Sequence, residues 1–345
     1  MGLNEDYTKL DPSGVEKALI SFPDQIRTTL KQSLKVHNPE LKFDSIIVSG
    51  MGGSSNAGKI VQGILEDNYT KPFVVYNDYG LPAWVNNKTL VILNSYSGNT
   101  EETLSGYEIA KTKGAQVIGI ATGGKIGEMV KYGQIQGAII DPKDTNPTGF
   151  PKSGLGVSLG SLIGLLFSIG VTSNNNQESE TALQELEEIR KSWNAKEMAE
   201  KLHGFIPVLF GGRPLLGALN AGRNAMCEIS RNFTEFYDFP EVNHVLVEAV
   251  GKPAGALQKK YLFFESKFNH ERVKLRYKIT KDIFNEQGLQ STVYSLQSST
   301  VLGQSLELAH YCAWVGFYLS ILDNTDPGPE PWILKLKSAL AQPVH

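Results

Sequence analysis

The sequence predicts an α/β protein of two doubly wound domains, each a mostly parallel sheet flanked by helices. Three observations carry this. At 345 residues the chain is too long for one ordinary hydrophobic core. Its first half alternates short β-rich runs with helical stretches, the pattern of a parallel sheet covered on both faces. Its second half opens as the first does. PVLFGGRPLLGALNAG and IIVSGMGGSSNAGKIV each give an apolar run, a glycine turn and a small-residue helix start, about 160 residues apart.

Taken in order, residues 1–40 read as a helical N-terminal extension. The first domain spans 41–175. Strands are expected at 45–49, 73–76, 90–94 and 117–121, with a helix over 100–113 between the last two. Residues 154–171 carry no charge, near the lower limit for spanning a bilayer. They hold glycines and serines throughout and lack a basic cluster or aromatic belt at their ends. This segment therefore reads as a buried helix packed against another backbone. Residues 176–204 form a linking helix, because Leu183, Leu186, Ile189, Trp193 and Leu202 fall at mostly helical spacing among charges. The second domain, 205–345, starts with a strand at 207–210. Later strands are expected at 273–279 and 292–298, then a long apolar helix over 305–322 and a tail helix after DPGPEP.

Composition removes several function classes. A net charge of -3 gives no broad footprint for nucleic acid or a membrane surface. Cys227 and Cys312 make neither a disulfide framework nor a CxxC pair and read as reduced core residues. The first residues, MGLNEDYTKL, lack the basic-then-apolar form of a signal peptide, so a cytoplasmic address is expected. His37, His203, His270, His310 and His345 show no metal-ligand spacing such as HExxH, and neither a metal nor an organic cofactor is expected.

Two segments that follow strands are rich in glycine and hydroxyls: Gly50-Met-Gly-Gly-Ser-Ser55 and Ser95-Tyr-Ser-Gly-Asn-Thr100. Each ends where a helix begins, so free backbone N–H groups and the positive end of the helix dipole face the strand ends. Gly53, Ser54, Ser95, Ser97 and Thr100 are thus candidates to hold a phosphate monoester. GxGxxG fails because Ser55 stands at its last position, and a P-loop Gly-Lys-Ser/Thr is absent. For one loop alone, a turn with a helix cap explains the residues equally well. The pair favours phosphate.

GMGGS followed by SYSGNTEET resembles the sugar isomerase (SIS) domain family. From about Ser45 onward the chain resembles the bifunctional phosphoglucose/phosphomannose isomerases. The resemblance implies interconversion of glucose 6-phosphate and fructose 6-phosphate, and of mannose 6-phosphate, through an enediolate, in a homodimer whose active sites are shared. FPEVNH is similar to the family's Pro-Glu-Leu-Asn-His. This makes His244 the ring-opening residue and Glu228, sixteen positions earlier, the proton-transfer base. The chain departs from the family at three places. Asn-Glu-Asn reads Cys227-Glu228-Ile229, and the Pro-Arg-Ala-Ala-Leu arginine is Lys152. The threonine of Asp-Pro-Thr-Pro is Gly328, which is expected to leave space but remove a hydroxyl. The family's lysine matches Lys337, with Lys335 as the alternative. A regulatory sugar-phosphate-binding module, or an amino-sugar phosphate isomerase, would share the phosphate loops. The apolar helix over 154–171 is the expected dimer contact.

Overall fold

Each half of the chain builds one parallel sheet, and the two have the same winding. The computed structural model describes residues 7–36, 41–172, 176–252 and 258–340. The first sheet contains β1 (Ser45–Ser49), β2 (Phe73–Tyr76), β3 (Thr89–Asn94), β4 (Gln116–Ala121) and β5 (Gln136–Ile139), in the order β2-β1-β3-β4-β5. The second contains β6 (Ile206–Gly212), β7 (Glu235–Phe239), β8 (Lys259–Glu265) and β9 (Ser291–Ser295), in the order β7-β6-β8-β9. Every strand pair is parallel. The second sheet thus repeats the first without its last strand. β1 and β6 begin 206 − 45 = 161 residues apart, the period visible in the sequence.

Around the first sheet lie α1 (Val15–Ile20), α2 (Phe22–Ser33), α3 (Gly52–Leu65), α4 (Glu101–Thr112), α5 (Gly124–Lys131) and α6 (Leu155–Ser168). Then come α7 (Asn176–Ile189), α8 (Ala195–Leu202), α9 (Leu216–Ala225), α10 (Val242–Val245), α11 (Glu271–Glu286), α12 (Val301–Leu322) and α13 (Pro331–Leu340). α3 packs on α9, so the first helix of each repeat joins the two sheets into one core. The crossing is close: a Cβ on Gly217 would fall 2.4 Å from the Ile60 backbone nitrogen. Asn220 and Asn224 both donate side-chain amides to Asn56 Oδ1 across it, the first at 2.5 Å.

Three expectations are corrected. Residues 273–279 are not a strand but part of α11. Their apolar–charged alternation imitates a strand, yet Tyr277, Thr280 and Phe284 line one buried helical face. The His270 side chain caps that helix by accepting from the Arg272 N–H at 3.1 Å. The strand itself lies earlier, at β8, where Tyr261 and Phe263 join an aromatic cluster with Phe210 and Phe284. The linking helix is two helices. After α7 the chain makes a 3-10 turn, and Trp193 adopts an extended conformation that buries its ring against His310 and Tyr311.

The third correction concerns α6. It is buried as expected, but its small face is already occupied. Cβ atoms on Gly156, Gly160 and Gly164 would strike Gln25, Ile26 and Leu30 of α2. That face is an internal seam and is not available to a second copy. Among the described residues no helix is long and apolar enough to cross a membrane. Cys312 is core, against Gly222; Cys227 is only half-buried. Both are free thiols. His37 and His345 lie outside the described residues.

Candidate active site

In an open parallel sheet, ligands sit beyond the carboxyl ends of the strands, where the strand order reverses. In the first sheet that point lies between β1 and β3. The two glycine- and hydroxyl-rich loops leave these two strands, so topology alone brings them together. The Asn94 side-chain amide donates to the Ser54 carbonyl at 3.0 Å, and the Tyr96 N–H donates to Ser54 Oγ at 3.1 Å. Gly50 permits this approach, since a Cβ there would lie 2.6 Å from the Asn94 carbonyl oxygen. Ser95 and Thr100 share a hydrogen bond at 2.9 Å, and Ser95 Oγ also accepts from the Gly98 N–H. The Thr100 hydroxyl does not cap α4. Ser97 is exposed, its oxygen accepting from the Asn99 N–H at 3.3 Å. The first-turn N–H groups of α3 and α4 lie in the same region, and the Ser54 and Ser97 hydroxyls, which only accept here, keep protons to donate to an anion.

A third segment meets these loops. The 3-10 turn Pro151–Gly154 approaches both: the Pro151 carbonyl lies opposite Gly53, and Gly154 lies against the Tyr96 ring. Lys152 is carried by this turn. Its side chain is only 2% exposed, and its ammonium donates to the Glu228 carbonyl at 3.0 Å. The two loops, Lys152 and the Glu228 segment therefore form one continuous region.

Glu228 itself sits in a π-helical turn, Met226–Ser230, which extends α9. A π turn gives up regular α-helical hydrogen bonds, and such turns occur often at functional sites. Burial pushes the Glu228 carboxyl up to about 7, and the nearby Glu330 carboxylate adds to the shift. Lys152, Arg223 and Lys337 pull the other way without cancelling it. Lys152 is lowered, again chiefly by burial, with Glu330 and Glu228 opposing. A carboxyl poised near neutrality beside the enclosed Lys152 ammonium can take a proton from carbon and return it.

Comparison with known proteins decides the family. The chain is 30% identical to the bifunctional phosphoglucose/phosphomannose isomerase of Caldicellulosiruptor bescii, over 94% of this chain and 98% of that protein. It is 33% identical to the Aquifex aeolicus protein of the same name, over 86% and 91%. This chain belongs to the bifunctional phosphoglucose/phosphomannose isomerase family. Consistently, residues 42–136 match the SIS domain, and residues 191–340 match the bacterial phospho-glucose isomerase C-terminal SIS domain. The fold is shared with tagatose-6-phosphate ketose/aldose isomerase from Escherichia coli. The TM-score is 0.70 at 16% identity, covering 92% of this chain and 96% of that one.

Against the bifunctional isomerase pattern, the remaining positions fall as follows. Lys337 acts electrostatically on Glu228, whereas Lys335 lies over the Trp332 ring, which separates the two lysines. Arg231 does not pair with Glu228; it donates to the Asp326 and Pro329 carbonyls of the tail. His244 stands exposed on α10, and its imidazole has no hydrogen-bond partner among the described residues. It is not among the groups that chiefly shift the Glu228 carboxyl. Among the described residues no three His, Cys, Asp or Glu side chains form a metal-binding group. Arg223 and Glu330 escaped sequence reasoning. Arg223 lies nearly one helical repeat and a half before Glu228, and Glu330 ends the DPGPEP segment, but only folding brings either to the carboxyl.

Gly328 does not leave the space expected of it. A Cβ there would fall 2.2 Å from Ser13 Oγ and 2.3 Å from Ser13 Cβ. The N-terminal segment fills the position, with Ser13 donating to Asp326 at 3.3 Å. Gly328→Thr alone is expected to lower stability by about 1–3 kcal/mol through overpacking, with Ser13→Gly recovering most of the loss. Thermal unfolding of the single and double variants checks this. An unchanged midpoint in the single variant would refute the clash.

Proposed function

We propose that this chain interconverts glucose 6-phosphate and fructose 6-phosphate, and accepts mannose 6-phosphate, by proton transfer between C1 and C2. The observation that carries this reading is the Glu228 carboxyl, lifted to about 7 beside Lys152 and next to the phosphate loops. Gly53, Ser54, Ser95, Ser97 and Thr100 hold the phosphate and so fix the carbon chain. Glu228 removes the C2 proton of the open aldose and delivers it to C1 through a cis-enediolate. Lys152 and Lys337 supply the positive potential that the developing enediolate oxygen needs. Coupled assays of the purified protein with the three sugar phosphates test the reading. Absence of turnover on all three would overturn it.

Opening the sugar ring needs a proton donor at the ring oxygen, and His244 takes that role from a second copy. Its exposure, and the lack of a hydrogen-bond partner among the described residues, support this. So do Phe233, Val245 and Trp332, which are 68%, 68% and 73% exposed and are apolar surface suited to an interface. The working form is thus a homodimer, its interface away from α6, and the domain limits are 41–175 and 205–345 around a linking segment. With no membrane-spanning helix among the described residues, a cytoplasmic location suits a sugar-phosphate enzyme. Mixing Glu228→Gln with His244→Ala protein is expected to restore up to about a quarter of wild-type activity by random re-pairing. A fully active monomer in light scattering would defeat the shared site.

A further inference from the structure

Glu330 is an acidic side chain of this region to which neither phosphate binding nor the proton transfer itself gives a part. It lies immediately before α13, on the tail segment. Its carboxylate is 3.8 Å from the Lys152 ammonium, with the two side chains 17% and 2% exposed. The same ammonium reaches the Glu228 carbonyl at 3.0 Å, so Lys152 is held between the Glu228 turn and the tail. The tail is itself fixed to that turn. Arg231, one residue beyond the π turn, donates to the Pro329 carbonyl at 2.7 Å and the Asp326 carbonyl at 3.1 Å. Glu330 is therefore delivered to Lys152 by a tail segment that Arg231 ties to the Glu228 turn.

We propose that Glu330 is a positioning residue for the isomerisation: it anchors the Lys152 ammonium over the Glu228 turn, and its charge sets the field in which Glu228 exchanges its proton. The proposal rests on the reading of Glu228 given above. Glu228 is faced by Glu330 from the tail, Lys152 from the 3-10 turn, Arg223 from α9 and Lys337 from α13. Lys152 is faced by Glu330, Glu228, Arg231 and Asp326. In both sets Glu330 favours the protonated form. It opposes ionisation of Glu228 and supports the charge on Lys152.

The test is the pH dependence of kcat for the full-length protein with fructose 6-phosphate. Activity needs Glu228 ionised and Lys152 charged. Glu330→Gln is therefore expected to move both the acidic and the alkaline limb to lower pH, the former by roughly half a pH unit or more. KM is expected to change less than about threefold, since the phosphate loops are untouched. Glu330→Asp keeps the charge with a shorter reach, and its limbs should fall between those of wild type and Glu330→Gln. If Glu330→Gln does not fold, the Asp variant carries the same test. A uniform loss of activity with both limbs unmoved would mean Glu330 only braces the tail, and would overturn the proposal. Glu228→Gln is assayed alongside. If that variant turns over normally, the reading of Glu228 has failed and this proposal with it. If it is inactive while the Glu330 limbs do not move, only the present proposal falls.

Discussion

Glu228→Gln is expected to cut turnover of glucose 6-phosphate roughly a thousandfold while leaving sugar-phosphate binding largely intact. The amide fills the same space but cannot accept the C2 proton. The same substitution should stabilise the protein at alkaline pH. The folded Glu228 carboxyl titrates near 7, against an ordinary value of 4.5. Its contribution to stability is thus fullest below pH 4.5 and is lost as pH rises toward 7, because the folded state resists ionisation that the unfolded chain undergoes freely. At pH 8 the variant escapes this cost, worth up to ~3 kcal/mol. Below pH 4.5 the two proteins should unfold alike. Denaturant titrations at pH 4 and pH 8, with steady-state assays, measure both effects. Equal stability at both pH values would show that the carboxyl is not strained in the fold, and normal turnover would remove it from the chemistry.

Gly160→Leu should be among the most destabilising single substitutions in the first half of the chain. A Cβ at this position would lie 2.5 Å from the Ile26 carbonyl oxygen and 2.8 Å from its Cα, both backbone atoms of a packed helix. No rotamer relieves a clash at Cβ. α2 and α6 would have to separate along the seam made by Gly156, Gly160 and Gly164, at a cost of about 3 kcal/mol or more. Gly127 on α5 is the control, since a Cβ there meets nothing within 4 Å. Gly127→Ala should gain up to about 1 kcal/mol from helix propensity. Urea unfolding of the two variants separates the readings. A midpoint for Gly160→Leu close to wild type would show that the seam can open without penalty.

The parts of the fold legible in the sequence were those that a local pattern specifies. β1 and β2 fall at the residues where an apolar run meets a glycine or polar turn, and the repeated strand–glycine–helix opening announced the second sheet. What misled was surface alternation: VKLRYKI satisfies a two-residue period and a helical one, and only the Tyr277, Thr280 and Phe284 contacts decide between them. β5 and β7 were missed because polar residues or glycine interrupt their apolar runs; QGAI and EFYDF are only partly buried. At the site, resemblance to the family's motifs nominated Glu228 and Lys152, and the fold brings them together. Spacing could not reveal the π turn, the Glu330 carboxylate or Ser13 filling the space beside Gly328. Each arises from segments far apart in the chain.

The strap formed by Asp326 to Glu330 has a consequence for how the protein matures. Both sheets precede it in the chain, so a growing polypeptide can form them and pair its two glycine- and hydroxyl-rich loops while this segment is still within the ribosome. Only when the strap emerges and is gripped by Arg231 do Glu330 and Lys337 reach Glu228. Sugar-phosphate binding and turnover would therefore arrive at different moments of synthesis. A protease that cut the strap in the finished molecule would reverse that order, leaving a protein that still captures its substrate and no longer converts it.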